Sequence, residues 1–297
     1  MELPAALYRY RGYSEDDLGS SDNRQRMELE IREALRGRAW FSTLSSQNDP
    51  FDTKPRFRPS APWEITRYVE DMRRATREKY FPISQRKIDE LIDGIGQDRK
   101  IAKANRRKAL NSLTPSAKEA HDNILEHANI CCFSTSPLDI LMWSYYGRSH
   151  SSFCYELSLD KSMIYKDNLD ILPIFYVEDR PLVRDTDIIT YSSYCSGEIQ
   201  FGPDLQDIVL EAKSHFDRAF LLTKSDHWKH EREWRAIGDI NMKPGYQSVA
   251  PYKCSEIVLG CNASREFSEF IKKFVSGNVP VRRAVASRSE YSLSLRD

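Results

Sequence analysis

Lys224-Ser225-Asp226-His227-Trp228-Lys229-His230-Glu231-Arg232-Glu233-Trp234-Arg235-Ala236-Ile237 crowds ionisable side chains directly onto an apolar run. A strand at its end places Glu231, Glu233 and Arg235 on one face, because side chains at i, i+2 and i+4 line up. Like charges held about 6 to 7 Å apart along a strand are unfavourable unless a cation, a hydrogen-bond donor or a substrate compensates them. The patch reads either as a functional site or as a solvated strand face with an internal Glu/Arg ion pair. In both readings the strand needs partners, and the rest of the chain is read for them.

Strand patterns occur at Leu7-Tyr8-Arg9-Tyr10-Arg11, Ala39 to Leu44, Ile130-Cys131-Cys132-Phe133-Ser134, Phe153 to Leu157, Ile171 to Val177 and Glu256 to Gly260. Helical spacing marks Asn23 to Arg36, closed by Gly37, and the stretches Leu210 to Leu222 and Ser264 to Val275, the last opened by a Ser cap. Between about Pro62 and Ala128 the chain turns charged and helical, with Thr114-Pro115 opening one helix. The expected fold is α+β, a single domain over 1–297 built on a central mixed or antiparallel sheet, with a helical subdomain inserted at 62–128.

Lys plus Arg equal Asp plus Glu at 44 each, so overall charge selects no partner, and 40% hydrophobic content suffices for a sizeable core. The six cysteines contain no C-x-x-C pair and read as small buried hydrophobes of a reducing cytoplasm. The N-terminus lacks a secretory h-region and no stretch approaches a membrane span, so a soluble, cytoplasmic protein is expected.

Four clusters carry candidate chemistry. Arg9 lies opposite to Tyr8 and Tyr10 on a strand and needs an anion, either a structural carboxylate or a phosphate. Ser134-Thr135-Ser136 leaves a strand end with three hydroxyls, which orient a ligand or make an ordinary turn before Pro137. Trp143, Tyr145 and Tyr146 bring rings beside Gly147, to stack a flat heterocycle or to form the buried edge of a short helix. The acidic strand joins Lys224 and Trp228; His227 and His230 lack a third ligand, so no metal is expected. Apart from these, the basic run with Arg99, Lys100, Lys103, Arg106, Arg107 and Lys108 is either a nucleic-acid contact or the wet face of a helix.

Leu7-Tyr8-Arg9-Tyr10-Arg11, Phe41-Ser42 leading to Asn48-Asp49-Pro50-Phe51, Cys132-Phe133-Ser134, Trp143-Ser144-Tyr145-Tyr146-Gly147, Lys224 with Trp228, Glu231, Glu233 and Arg235, and Leu259-Gly260 together resemble a bacterial family catalogued as domain of unknown function 2971. That likeness brings no activity. In order, Arg9, Ser134-Thr135-Ser136 and Glu231-Arg232-Glu233 also resemble the arginine, Ser-Thr-Ser and Glu-x-Glu elements of mono-ADP-ribosyltransferases. The resemblance implies that Arg9 anchors NAD, Ser134 supports the pocket, Glu233 holds the nicotinamide ribose and Glu231 orients the acceptor. Tyr8, Trp143, Tyr145 and Tyr146 would then contact NAD as substrate, with Arg235 and Lys224 beside it.

On this reading the chain is an NAD-consuming transferase or glycohydrolase acting on a protein or nucleic-acid acceptor, in a toxin-like or antiphage-defence setting. The alternatives are a non-enzymatic nucleic-acid or protein-binding module and a metal-dependent nuclease using Glu231 and Glu233. Convergence of Arg9, Ser134 and Glu233 on one hollow is the spatial expectation of the leading reading.

Overall fold

Asn129-Ile130-Cys131-Cys132-Phe133-Ser134 is the strand around which the sheet is built in the computed structural model of the chain. The structure describes residues 2–58, 60–61, 63–64, 67, 70, 122, 125–164, 170–184, 186–187, 214–215, 217–238 and 242–297. Their strands are β1 (Ala6–Arg11), β2 (Arg38–Thr43), β3 (Arg56–Arg58), β4 (Asn129–Ser134), β5 (Phe153–Leu159), β6 (Asp170–Pro173) and β7 (Phe175–Val177). β8 (Leu182–Arg184), β9 (Thr223–Ser225), β10 (Glu233–Ile237), β11 (Gly245–Ser248), β12 (Tyr252–Leu259), β13 (Val281–Ala286) and β14 (Leu293–Arg296) complete them. The α-helices with defined ends are α1 (Glu15–Leu18), α2 (Ser21–Leu35), α3 (Ile140–Tyr145) and α4 (Arg265–Val275). Two compact units result, one of Met1–Ser46, Ala128–Tyr176 and Asp226–Asp297, the other of Gln47–His127 and Val177–Ser225.

The first unit is an α+β fold on a ten-stranded sheet ordered β11-β2-β4-β1-β5-β12-β13-β14, with β10 and then β6 added beside β4. β12 and β13 run parallel, and the other pairs are antiparallel, so the sheet is mixed. β10 covers one edge of β4 from Ile130 to Ser134, while β2 takes Asn129 and Ile130 and β1 takes Ser134 on the other. A strand paired on both edges keeps little contact with water, which is why its sequence is apolar nearly throughout.

One face of the sheet carries the main core. Leu7, Phe41, Cys131, Phe133, Phe153, Tyr155, Leu157 and Ile257 meet Met27, Ile31 and Ala34 of α2 and Phe267, Ile271 and Val275 of α4. Those helical residues recur at three- and four-residue spacing, and burying each large one contributes about 1.5 to 3 kcal/mol. Ser20 and Ser264 cap the two helices by accepting the Asn23 and Phe267 amides at 3.5 and 3.1 Å. The opposite face holds a smaller core of Tyr10, Met142, Trp143, Cys154, Val258 and Ala284.

Several elements depart from the sequence pattern. Ile171 to Val177 is two strands, β6 and β7, broken at Ile174. The described part of the Leu210 to Leu222 helix is π-helical over Asp217–Leu221, and residues 226–231 form a 3-10 helix. The region expected as a helical insertion, 62–128, lies mostly outside the described residues, as does the basic run from Arg99 to Lys108.

After α3, Arg148, Ser149 and His150 all have positive φ, 48°, 53° and 67°. Left-handed backbone costs roughly 1 to 2 kcal/mol per non-glycine residue, so neighbours must hold the turn. The His150 carbonyl accepts the Asn262 amide at 2.9 Å, and the Asn262 side chain donates to the Ser149 carbonyl at 3.1 Å. Gly260 lies against that carbonyl so closely that an added Cβ would collide with it and with Trp143. Gly260→Ala is expected to lower stability by about 1 to 3 kcal/mol through overpacking. Thermal unfolding followed by circular dichroism measures it, and an unchanged melting temperature would remove Gly260 from this role.

In the second unit β3 and β8 pair in parallel. Arg58 donates to both Glu64 oxygens at 2.7 Å, and Arg184 donates to both Asp187 oxygens at 2.8 and 2.6 Å. The bonds from Arg58 pull the Glu64 carboxyl from 4.5 down to about 2, against the opposing effect of burial. Its folded value lies below its unfolded one, so its contribution is complete above pH 4.5 and is lost as pH falls toward 2. The urea midpoints of wild type and Glu64→Gln should therefore differ at neutral pH and converge as the pH drops below that range. A gap that stays constant across it would contradict the assignment.

Candidate functional site

The 3-10 helix over Asp226–Glu231 ends at Arg232, whose φ of 46° turns the chain into β10. That turn corrects the expectation that Glu231, Glu233 and Arg235 share a strand face. Glu231 closes the helix, and only Glu233 and Arg235 alternate together on the strand. Both are buried, and the Arg235 guanidinium reaches the two Glu233 oxygens at 2.6 and 3.4 Å. The Glu233 amide donates to the Tyr176 hydroxyl at 2.8 Å, which fixes the strand's first residue. Breaking such a buried pair leaves an uncompensated charge, so each partner holds the other in place.

Register then sets what Glu233 faces. Glu233 lies opposite Ser134, Ser134 opposite Tyr8, Tyr8 opposite Glu156 and Glu156 opposite Glu256. Directly opposed residues in antiparallel strands share a face, so these five form one polar row across five strands. Ser134 is buried, and its hydroxyl oxygen accepts the Ser136 amide at 3.3 Å. Tyr8 donates to Glu156 at 2.8 Å, and burial, followed by the Glu156 carboxylate, pushes its phenol up. Glu156 also accepts Ser158 at 2.8 Å and Ser255 at 3.0 Å. Arg282 forks onto Glu256 at the row's end.

Beside the row, the Tyr146 hydroxyl donates to Glu231 at 2.7 Å. Tyr145, Trp228 and His230 make a triangle of rings with centroids 6.0 to 6.2 Å apart. Tyr145 is 60% exposed. Glu231, Glu233, Arg235, Ser134, Tyr8, Tyr145 and Tyr146 thus belong to one neighbourhood of elements: the row, the 3-10 helix against α3, and the turn joining them.

Arg9 does not join them. Being one residue from Tyr8, it points to the other face, where it donates to the Trp40 carbonyl at 3.0 Å, the Cys132 carbonyl at 3.4 Å and the Cys131 sulfur. Its Nε lies 4.0 Å from Glu30, which Arg11 contacts at 2.9 Å. The anion that this core cation needs is therefore a helix glutamate. Trp143 is fully buried, edge-on to Tyr10 at 5.0 Å and donating to the Pro137 carbonyl at 2.8 Å, so it is core and offers no stacking platform. Lys224 belongs to the second unit, where it lies 3.9 Å from Asp52.

Tyr176 and Glu156 were not among the residues singled out from sequence. Glu156 meets the row through cross-strand pairing and Tyr176 through its hydroxyl, and nothing local in the sequence marks either. Among the described residues no group of three or more His, Cys, Asp or Glu side chains is arranged to hold a metal ion, and the described cysteines are free thiols. No helix among those residues is long and apolar enough to cross a membrane.

Curated proteins and solved structures yield no match to the chain. Residues 142–236, which run from α3 through the acidic turn to β10, match the model of a family described as Protein of unknown function (DUF2971), about a third of the chain.

Proposed function

We propose that the chain cleaves the bond between nicotinamide and ribose in NAD and passes the ADP-ribosyl group to an acceptor, with Glu233 as the carboxylate beside the sugar. The observation that carries this reading is the direct cross-strand pairing of Glu233 with Ser134, with Arg235 gripping both Glu233 oxygens. As the C–N bond breaks, its electron pair goes to the nicotinamide nitrogen and positive charge grows on the ribosyl carbon. A carboxylate oriented by a guanidinium stabilises that charge more in the transition state than in the ground state. Glycosidases set carboxylates against the same kind of charge.

Glu231 takes the acceptor's proton as the new bond to the ribosyl carbon forms. Its hydrogen bond from Tyr146 positions the carboxylate for that step. Ser134, opposite Glu233, orients the ribose or the Glu233 side chain. Arg9 has no part in this scheme.

Glu233→Gln keeps an oxygen for Arg235 and should leave the fold intact while slowing nicotinamide release from labelled NAD by about a hundredfold or more. Glu231→Gln should retain release to water but lose most transfer to an acceptor. Release at the wild-type rate from a Glu233→Gln variant that melts earlier would return the Glu233–Arg235 pair to a purely structural role. No release by the wild-type chain would overturn the proposal.

A further inference from the structure

We propose that Tyr145 and the 226–232 turn form a docking surface for single-stranded nucleic acid, the acceptor of the reaction proposed above, on which this assignment of acceptor rests. Trp228 and His230 bring two aromatic rings to the turn, and α3 adds Tyr145 as the third ring of the triangle. Nucleobases stack on such rings whatever their sequence, because every base has a π face. Tyr145 is the exposed member, placed where a base can reach it.

Cations alternate with these rings. Lys229 and Arg232 are both exposed. The acid nearest the reaction, Glu231, is buried under the Tyr146 hydroxyl. Basic groups interleaved with rings are the surface chemistry of single-strand binding. The run from Arg99 to Lys108 has no such ring among its residues.

Two further features belong to the same turn. Arg232 is held with φ at 46°, a conformation that non-glycine residues adopt at a cost and that tends to persist at functional sites. It lies between Glu231 and Glu233, which sets a phosphate-binding cation next to both carboxylates. The Nε2 atom of His230 is buried without a hydrogen-bond partner. Unsatisfied buried groups are few in native proteins, and this one lies within the ring cluster.

The test is fluorescence anisotropy of a labelled single-stranded oligonucleotide with the full chain in the absence of NAD, repeated across salt concentrations. DNA, RNA and duplex arms identify the form preferred. Single strands should bind more tightly than duplex, and Tyr145→Ala should weaken binding at least about fivefold. Lys229→Ala combined with Arg232→Gly, which suits the left-handed backbone, should reduce the slope of log affinity against log salt by about 1.4. Equal binding of duplex and single strand, or curves unchanged in both variants, would overturn the surface. Nicotinamide release from the same preparation separates the two ideas. Release without oligonucleotide binding sinks the surface and leaves the Glu233 reading standing. Oligonucleotide binding without release does the reverse. Label from NAD that ends on protein and survives nuclease digestion would overturn the choice of acceptor.

Discussion

β4 is the constraint on which the sheet depends. A strand has two edges and β4 has three partners, so β1 and β2 must share one edge while β10 occupies the other. Where β1 and β2 diverge, none of the described strands pairs with the backbone between Cys131 and Phe133 on that side. The Arg9 guanidinium fills the gap, joining the Cys132 carbonyl of β4 to the Trp40 carbonyl of β2. Buried carbonyls require donors, and here a side chain supplies what a strand cannot. The cation is neutralised from above by Glu30, which also accepts Tyr155 and Tyr246 at 3.3 Å each.

That arrangement explains why chemistry and scaffolding part company at consecutive residues of β1. Tyr8 belongs to the polar row with Ser134 and Glu233, whereas Arg9 belongs to the core beneath α2. The row places Glu233, Glu156 and Glu256 on one face, and each is stabilised differently: by a buried guanidinium, by three hydroxyls, and by a half-exposed guanidinium. Like charges on neighbouring strands would repel without such local compensation. The mixture leaves both Glu233 oxygens against the Arg235 guanidinium.

Much of the fold was legible because burial leaves a period in sequence. β1, β4, β5, β10 and β12 carry recognisable strand patterns, and α2 and α4 show helical spacing, α4 with its serine cap. β13 and β14 did not stand out, since Val281-Arg282-Arg283-Ala284 and Leu293-Ser294-Leu295 are short and weakly patterned. The pattern also gave Arg9 the face opposite to Tyr8 correctly. What it lacked was register between strands, which no single segment encodes, and register alone decides that Glu233 shares a face with Tyr8. Glu231 was misplaced for a different reason: a left-handed Arg232 ends the alternation, and arginine carries no marker for that conformation.

The sheet order bears on what the stretch shared with the DUF2971 family can do alone. Residues 142–236 supply β5, β6 and most of β10, yet the strands lying between β5 and β10, β1 and β4, come from outside it. Gly260, which shapes the turn after α3, is outside as well. The family signature therefore marks a set of surfaces that meet only when distant parts of the polypeptide are interposed. An excised copy of that stretch would expose unpaired strand edges, and it would be a candidate for aggregation in place of folding.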